Sequence, residues 1–193
     1  MPRFFLSFFC LFFLGTPLAH AGPQRYHFDK DHTTILFFVN HLGFSDKIGR
    51  FTDYEGTLLL DEDFPEKSSV QVTLRPKGID TDSPALNKVL QGKWWFNAET
   101  YPTITFRSTQ IKQREENKNK AEVSGWMTML GKENFVTLNV TFNKSGVHPI
   151  TKAYVAGFSA DAVINRSDFG MNNSVPFVGE DVRLHIESEF IRE

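Results

Sequence analysis

Five histidines follow the first twenty-odd residues, His27, His32, His41, His148 and His185, and imidazole is the side chain best suited to proton transfer or metal binding near neutral pH. None stands two or four residues from another, and no run of His, Asp and Glu has metal-ligand spacing. The serines lack the Gly-x-Ser-x-Gly context of a hydrolase nucleophile, and the single cysteine, Cys10, lies in an apolar N-terminal run. No Gly-rich loop opens a helix, so a nucleotide site has no support. What remains is a handful of polar groups, each open to two uses. His41 shares the alternation of Ile35, Phe37 and Val39, and is either a contact for a lipid headgroup or quinone oxygen or a hydrogen-bonded core histidine. Arg166-Ser167-Asp168 reads as a loop closure, while the preference of Arg for phosphate makes Arg166 a candidate for meeting a pyrophosphate. Trp94-Trp95-Phe96 suits the rim of an apolar bore or a plug, since indole joins an apolar body to a polar N–H. The set points to binding rather than catalysis, with no metal or cofactor.

The N-terminus carries a different signal. Met1-Pro2-Arg3 is a short cationic start, residues 4–14 are apolar apart from Ser7, and Ala19-His20-Ala21 is a small-x-small pattern. The run is far shorter than the roughly 20 residues that a spanning helix needs. This is the pattern of a signal peptide, 1–21, cut after Ala21 to send a chain starting at Gly22 to the periplasm; a short anchor or a buried N-terminal strand is the alternative. Residues 1–21 hold the only cysteine and six of the 20 phenylalanines, so 22–193 make one thiol-free domain. Without Arg3, 20 Lys+Arg face 23 Asp+Glu, a balance near −3 that disfavours nucleic acid.

These groups must be positioned by strands. Ile35, Phe37 and Val39 alternate with Leu36, Phe38 and Asn40; Val70, Val72 and Leu74 with Gln71, Thr73 and Arg75; Ile104 and Phe106 with Thr105 and Arg107. The same period of two runs through Val136–Phe142 and Val182–Ile186, and 51–60, 123–130 and 154–164 complete about eight strands. An all-β sandwich or up-and-down barrel follows. One helix interrupts it: Thr81-Asp82-Ser83-Pro84 caps a stripe of Leu86, Val89 and Leu90 that Gln91-Gly92 ends.

Several motifs resemble the YceI-like family. They are His32-Thr33-Thr34-Ile35, Asn40-His41-Leu42-Gly43-Phe44, 49–56, Trp95-Phe96-Asn97, 101–106, 125–131 and 165–171, in family order from Tyr26 to Phe190. The chain departs from the family after Gly131, where Lys132-Glu133-Asn134-Phe135 replaces a Lys-Pro. The resemblance implies an extended eight-stranded antiparallel lipocalin-like barrel with one short helix, exported, whose apolar tunnel holds a polyisoprenoid or similar long-chain lipid.

Ligand contacts are then expected from Ile35, Phe37, Val39, His41, Phe106, Val140, Phe158 and Leu184 on the inward parity, with Trp94, Trp95 and Arg166 at the ends. Competing readings are an enzyme acting on a small apolar substrate and a solidly packed interaction module. Leu36 and Phe38, both on the outward parity, mark either a seat for the helix or a homodimer contact.

Overall fold

The alternating segments become ten strands: β1 Gln24–His41, β2 Ser45–Phe51, β3 Tyr54–Leu60, β4 Ser69–Leu74, β5 Ile79–Asp80, β6 Ile104–Gln113, β7 Lys120–Met129, β8 Lys132–Val147, β9 Tyr154–Asn165 and β10 Val178–Arg192. This computed structural model describes residues 22–193, so the expected leader and Cys10 lie outside the described residues. All pairings are antiparallel, and the sheet closes because β1 pairs with β10 from Tyr26↔Arg192 to His41↔Val178.

Ten segments form eight staves. The first half of β1 pairs with β3 and its second half with β2, so β2 and β3 are one strand broken at Thr52-Asp53. β4 and β5 pair with β3 and β2 in turn and make a second broken stave. The two breaks fit together. Thr52 N donates to Gly78 O and Arg75 N to Asp53 O, each at 2.8 Å. A Cβ on Gly78 would stand 2.5 Å from Asp53 Cβ, so the close approach requires glycine.

Three bulges change which residues face inward. Between Asp29 and Thr34 on β1 the inward set passes from Tyr26 and Phe28 to Thr33, Ile35 and Phe37, all buried. On β6 the slip between Ser108 and Gln110 moves it from Ile104 and Phe106 to Ile111. On β8 the slip between Phe142 and Lys144 places Ser145 opposite the buried Ala156. An extra residue turns every later side chain of its strand to the other face.

The helix α1, Pro84–Gln91, forms where expected. Ser83 Oγ accepts from Leu86 N at 3.4 Å, Pro84 stands in the first turn, and Gly92 N returns to Val89 O. Leu90 is buried beneath it, but Val89 is 52% exposed, so the apolar stripe is narrower than its spacing suggests. On the outer wall, the Arg183 guanidinium lies over the Phe38 ring, 5.1 Å from its centroid, and pairs with Asp46.

Candidate functional site

The inward side chains leave two cavities, of about 90 and 350 Å³. They lie end to end along the barrel axis. Phe37, Ile104 and Leu184 line the smaller one, and Ile35, Phe106 and Ile186, each two residues away on the same strands, line the larger. A two-residue step on a strand rises about 6.6–6.8 Å, so the boundary crosses the barrel at one level. The larger volume falls within the range of roughly 300–1,000 Å³ typical of small-molecule sites.

Nine of the eleven residues expected to meet a ligand line one or other cavity. Ile35, Phe106, Val140 and Phe158 line the larger cavity; Phe37, Val39, Trp95, Arg166 and Leu184 line the smaller. His41 and Trp94 do not. His41 keeps the parity of Val39 but lies past the barrel rim, opposite Ser45 in the last pair of the β1–β2 hairpin, and is exposed. Its exposure overturns the reading as a core histidine. Trp94 is 71% exposed with Lys93 Nζ 5.5 Å from its ring centroid, while Trp95 and Phe96 turn inward with Leu90 to floor the small cavity. The aromatic triplet is thus a plug made by two of its three members.

Arg166 is 2% exposed, on the small cavity's wall, in a 3-10 turn at Arg166–Phe169. Its Nε donates to Gly179 O at 2.8 Å, Nη1 to Met171 O at 2.6 Å and Nη2 to Val178 O at 2.8 Å. The guanidinium also stands 5.4 Å from the Trp95 ring centroid. Burial lowers its pKa below the usual guanidinium value. Three of its five N–H donors go to backbone carbonyls, so the side chain closes the loop, with carbonyls as partners rather than Asp168, which is exposed. Asn165 Oδ1 accepts from Ser167 N at 2.9 Å, and Gly170, at φ 85°, completes the turn.

Parity reasoning missed much of the larger cavity's wall, including Phe28, Leu58, Leu60, Ile111 and Phe190. Leu58 and Leu60 carried a usable signal, being two apart in a segment already read as a strand; Phe28 and Ile111 lie across bulges from the parity that was counted. Spacing also gave no sign that the β1 bulge brings Asp29, His32 and Glu189 together, with potential ligand atoms within 4.8 Å of one another. That group lies on the outer parity of β1 and β10, away from the lumen. There His32 Nδ1 meets Asp29 Oδ2 at 2.9 Å, and this hydrogen bond raises the imidazole pKa.

The YceI-like domain family matches residues 26–190. This chain belongs to that family. It is 32% identical over 185 residues to a UPF0312 protein of Pseudomonas aeruginosa, covering 93% of this chain and 95% of that one. Among solved structures it is similar to Burkholderia cenocepacia BcnA, with TM-score 0.75 and 25% identity over 84% of this chain and 98% of that one. The fold is shared at TM-score 0.64 and 13% identity with a polyisoprenoid binding domain from Saccharophagus degradans, over 87% of this chain and 98% of the other. The departure from the YceI-like pattern after Gly131 leaves the hairpin intact. Leu130 at φ 53° and Gly131 at φ 72° make a two-residue turn between paired Met129 and Lys132, with Trp126 packed edge-on to Phe135 at 5.2 Å.

Proposed function

We propose that the barrel holds one elongated apolar lipid of the polyisoprenoid or isoprenoid-quinone type, as a carrier or store rather than a catalyst, in the periplasm. The observation that carries this reading is the pair of coaxial cavities walled by aliphatic and aromatic side chains, with polar groups gathered at the outer end of the larger one. Such a bore binds by length and apolarity. Each buried methylene contributes about 0.8 kcal/mol, so a long tail needs no polar code to bind tightly. The polyisoprenoid binding domain of Saccharophagus degradans, built on the same fold, is consistent with a ligand of that class.

Native mass spectrometry of the protein exported from its source tests both halves. The expected species begins at Gly22 and carries an apolar adduct of several hundred daltons that solvent extraction removes. A species that retains Cys10 overturns the periplasmic assignment, and a ligand-free protein that takes up no isoprenoid overturns the lipid one.

A further inference from the structure

The two ends of the bore are closed in different ways. At the α1 end the closure is packing: Leu90, Trp95, Phe96 and Met171 fill the floor, and Arg166 ties the adjoining turn to three carbonyls. The other end is bordered by the β6–β7 hairpin, whose Lys118 and Asn119 line the larger cavity, and by the β3–β4 connection, residues 61–68, whose Asp61, Glu62, Pro65 and Ser68 line it too. This connection is braced within itself. Phe64 N donates to Asp61 Oδ1 at 2.9 Å, and Asp61 N donates to Ser68 Oγ at 2.9 Å.

One carboxylate of this connection reaches the far side of the mouth. Glu62 Oε2 accepts from Ser145 Oγ at 2.6 Å, and Glu62 Oε1 accepts from the hydroxyls of Tyr154 at 3.2 Å and Tyr26 at 3.4 Å. These donors sit on β8, β9 and β1, and β8 and β9 lie across the barrel from β3. All three are on the inward parity above the cavity, Ser145 because the β8 bulge turns it there. Burial, reinforced by the Glu62 charge, pushes the Tyr26 phenol up to about 12, so it remains a donor. Glu62 itself is exposed, so water competes for each of these bonds and the strap can part without unfolding the barrel.

We infer that residues 61–68 are a strap over the ligand portal, latched by Glu62 on Ser145, Tyr154 and Tyr26, through which the apolar ligand enters and leaves. The inference rests on the lipid-holding reading and adds the route. It assigns entry to the strand-end mouth rather than the α1 end, because the Glu62 contacts at the former are exposed to solvent while the floor of the latter is packed with apolar side chains.

Retinol, a fluorescent isoprenoid, serves as the probe on lipid-stripped exported protein, with uptake and release rates measured separately from the amplitude at saturation. Glu62→Ala should speed both rates on the order of tenfold with amplitude unchanged, the effect of losing about one net hydrogen bond of closure. The double variant Ser145→Ala/Tyr154→Phe should do the same with the strap itself untouched, which guards against misfolding of the first. A Glu62→Cys/Ser145→Cys variant joined by a short thiol crosslinker should slow uptake below wild type, and should be fast before crosslinking. Normal amplitude with unchanged rates, or a crosslink without effect, overturns the latch and leaves the lipid reading standing. Failure of wild type to bind retinol takes down both.

Discussion

Gly49 on β2 lies directly opposite Phe37 on β1, and a Cβ on Gly49 would stand 2.2 Å from Phe37 Cζ. The ring therefore occupies the space that any side chain at position 49 would need, and Phe37 reaches Phe51, ring centroids 5.7 Å apart, while walling the smaller cavity. Gly49→Ala forces the ring to move in a buried site. Overpacking of this kind costs about 1–3 kcal/mol, so thermal unfolding should fall by several degrees. The companion Gly49→Ala/Phe37→Leu should recover most of the loss. An alanine variant as stable as wild type would show that Phe37 has room to turn away.

This relationship also marks how far the sequence could be read. About eight strands were legible because alternation is a local property, and the inward parity it gave for Ile35, Phe37, Phe106, Val140 and Leu184 matches the cavity walls, whereas the choice of a barrel over a sandwich came from the resemblance to the YceI-like family. The exposure of His41 at the end of β1 was not legible, because alternation reports a face and not how deep in the barrel a residue lies. Phe28 and Ile111 were missed because a bulge inserts one residue without leaving a hydropathy signature. Trp94 and Trp95 are adjacent and alike in type, yet the chain leaving Gly92 half-buries one and exposes the other, which is decided by tertiary packing.

Strand parity on β10 yields a paired test. Leu184 lines the smaller cavity, while its neighbour Arg183 is exposed on the outer wall. Leu184→Glu places a carboxylate among apolar groups and should cost on the order of 3 kcal/mol or more, with loss of lipid retention. Arg183→Glu removes an exposed ion pair with Asp46 and should cost at most about 1 kcal/mol. Urea midpoints of the two variants decide the matter. Equal losses would mean that the register is off by one.

Stability should decline as the solution becomes alkaline through the histidine range. His185 Nδ1 meets Asp161 Oδ1 at 2.7 Å and Nε2 meets Glu187 Oε1 at 3.1 Å. The hydrogen bond to Asp161, with the charges of Asp161 and Glu187 outweighing slight burial, raises His185 above 6.5, and the hydrogen bond to Asp29 does the same for His32. A folded pKa above the unfolded one means that the protonated form is favoured by folding. Its contribution is fully present below pH 6.5 and is lost as pH rises through the folded value. The thermal midpoint should therefore drop from about pH 6 upward, and Asp161→Asn should flatten that slope. A wild-type midpoint that climbs over this interval would show that neither pairing persists in solution.

The outer face of β1 and β2 carries an apolar stripe. Phe38 pairs across to Ile48, which is 48% exposed, and Leu36 lies two residues away on the same face of β1. Neighbouring apolar groups on one outer face behave as a contact surface when they form a continuous patch. Arg183 covers one side of the Phe38 ring and its charge is held by Asp46, so the cover is amphipathic and can remain at the rim of an interface. Isologous association through this stripe brings β1 and β2 of two copies together around a two-fold axis. Sedimentation should then show a dimer for wild type and a folded monomer for Phe38→Ser, with Ile48→Ser giving the same result independently. A wild type that stays monomeric at high concentration would assign the stripe to the single barrel, with the Arg183 stem as its only cover.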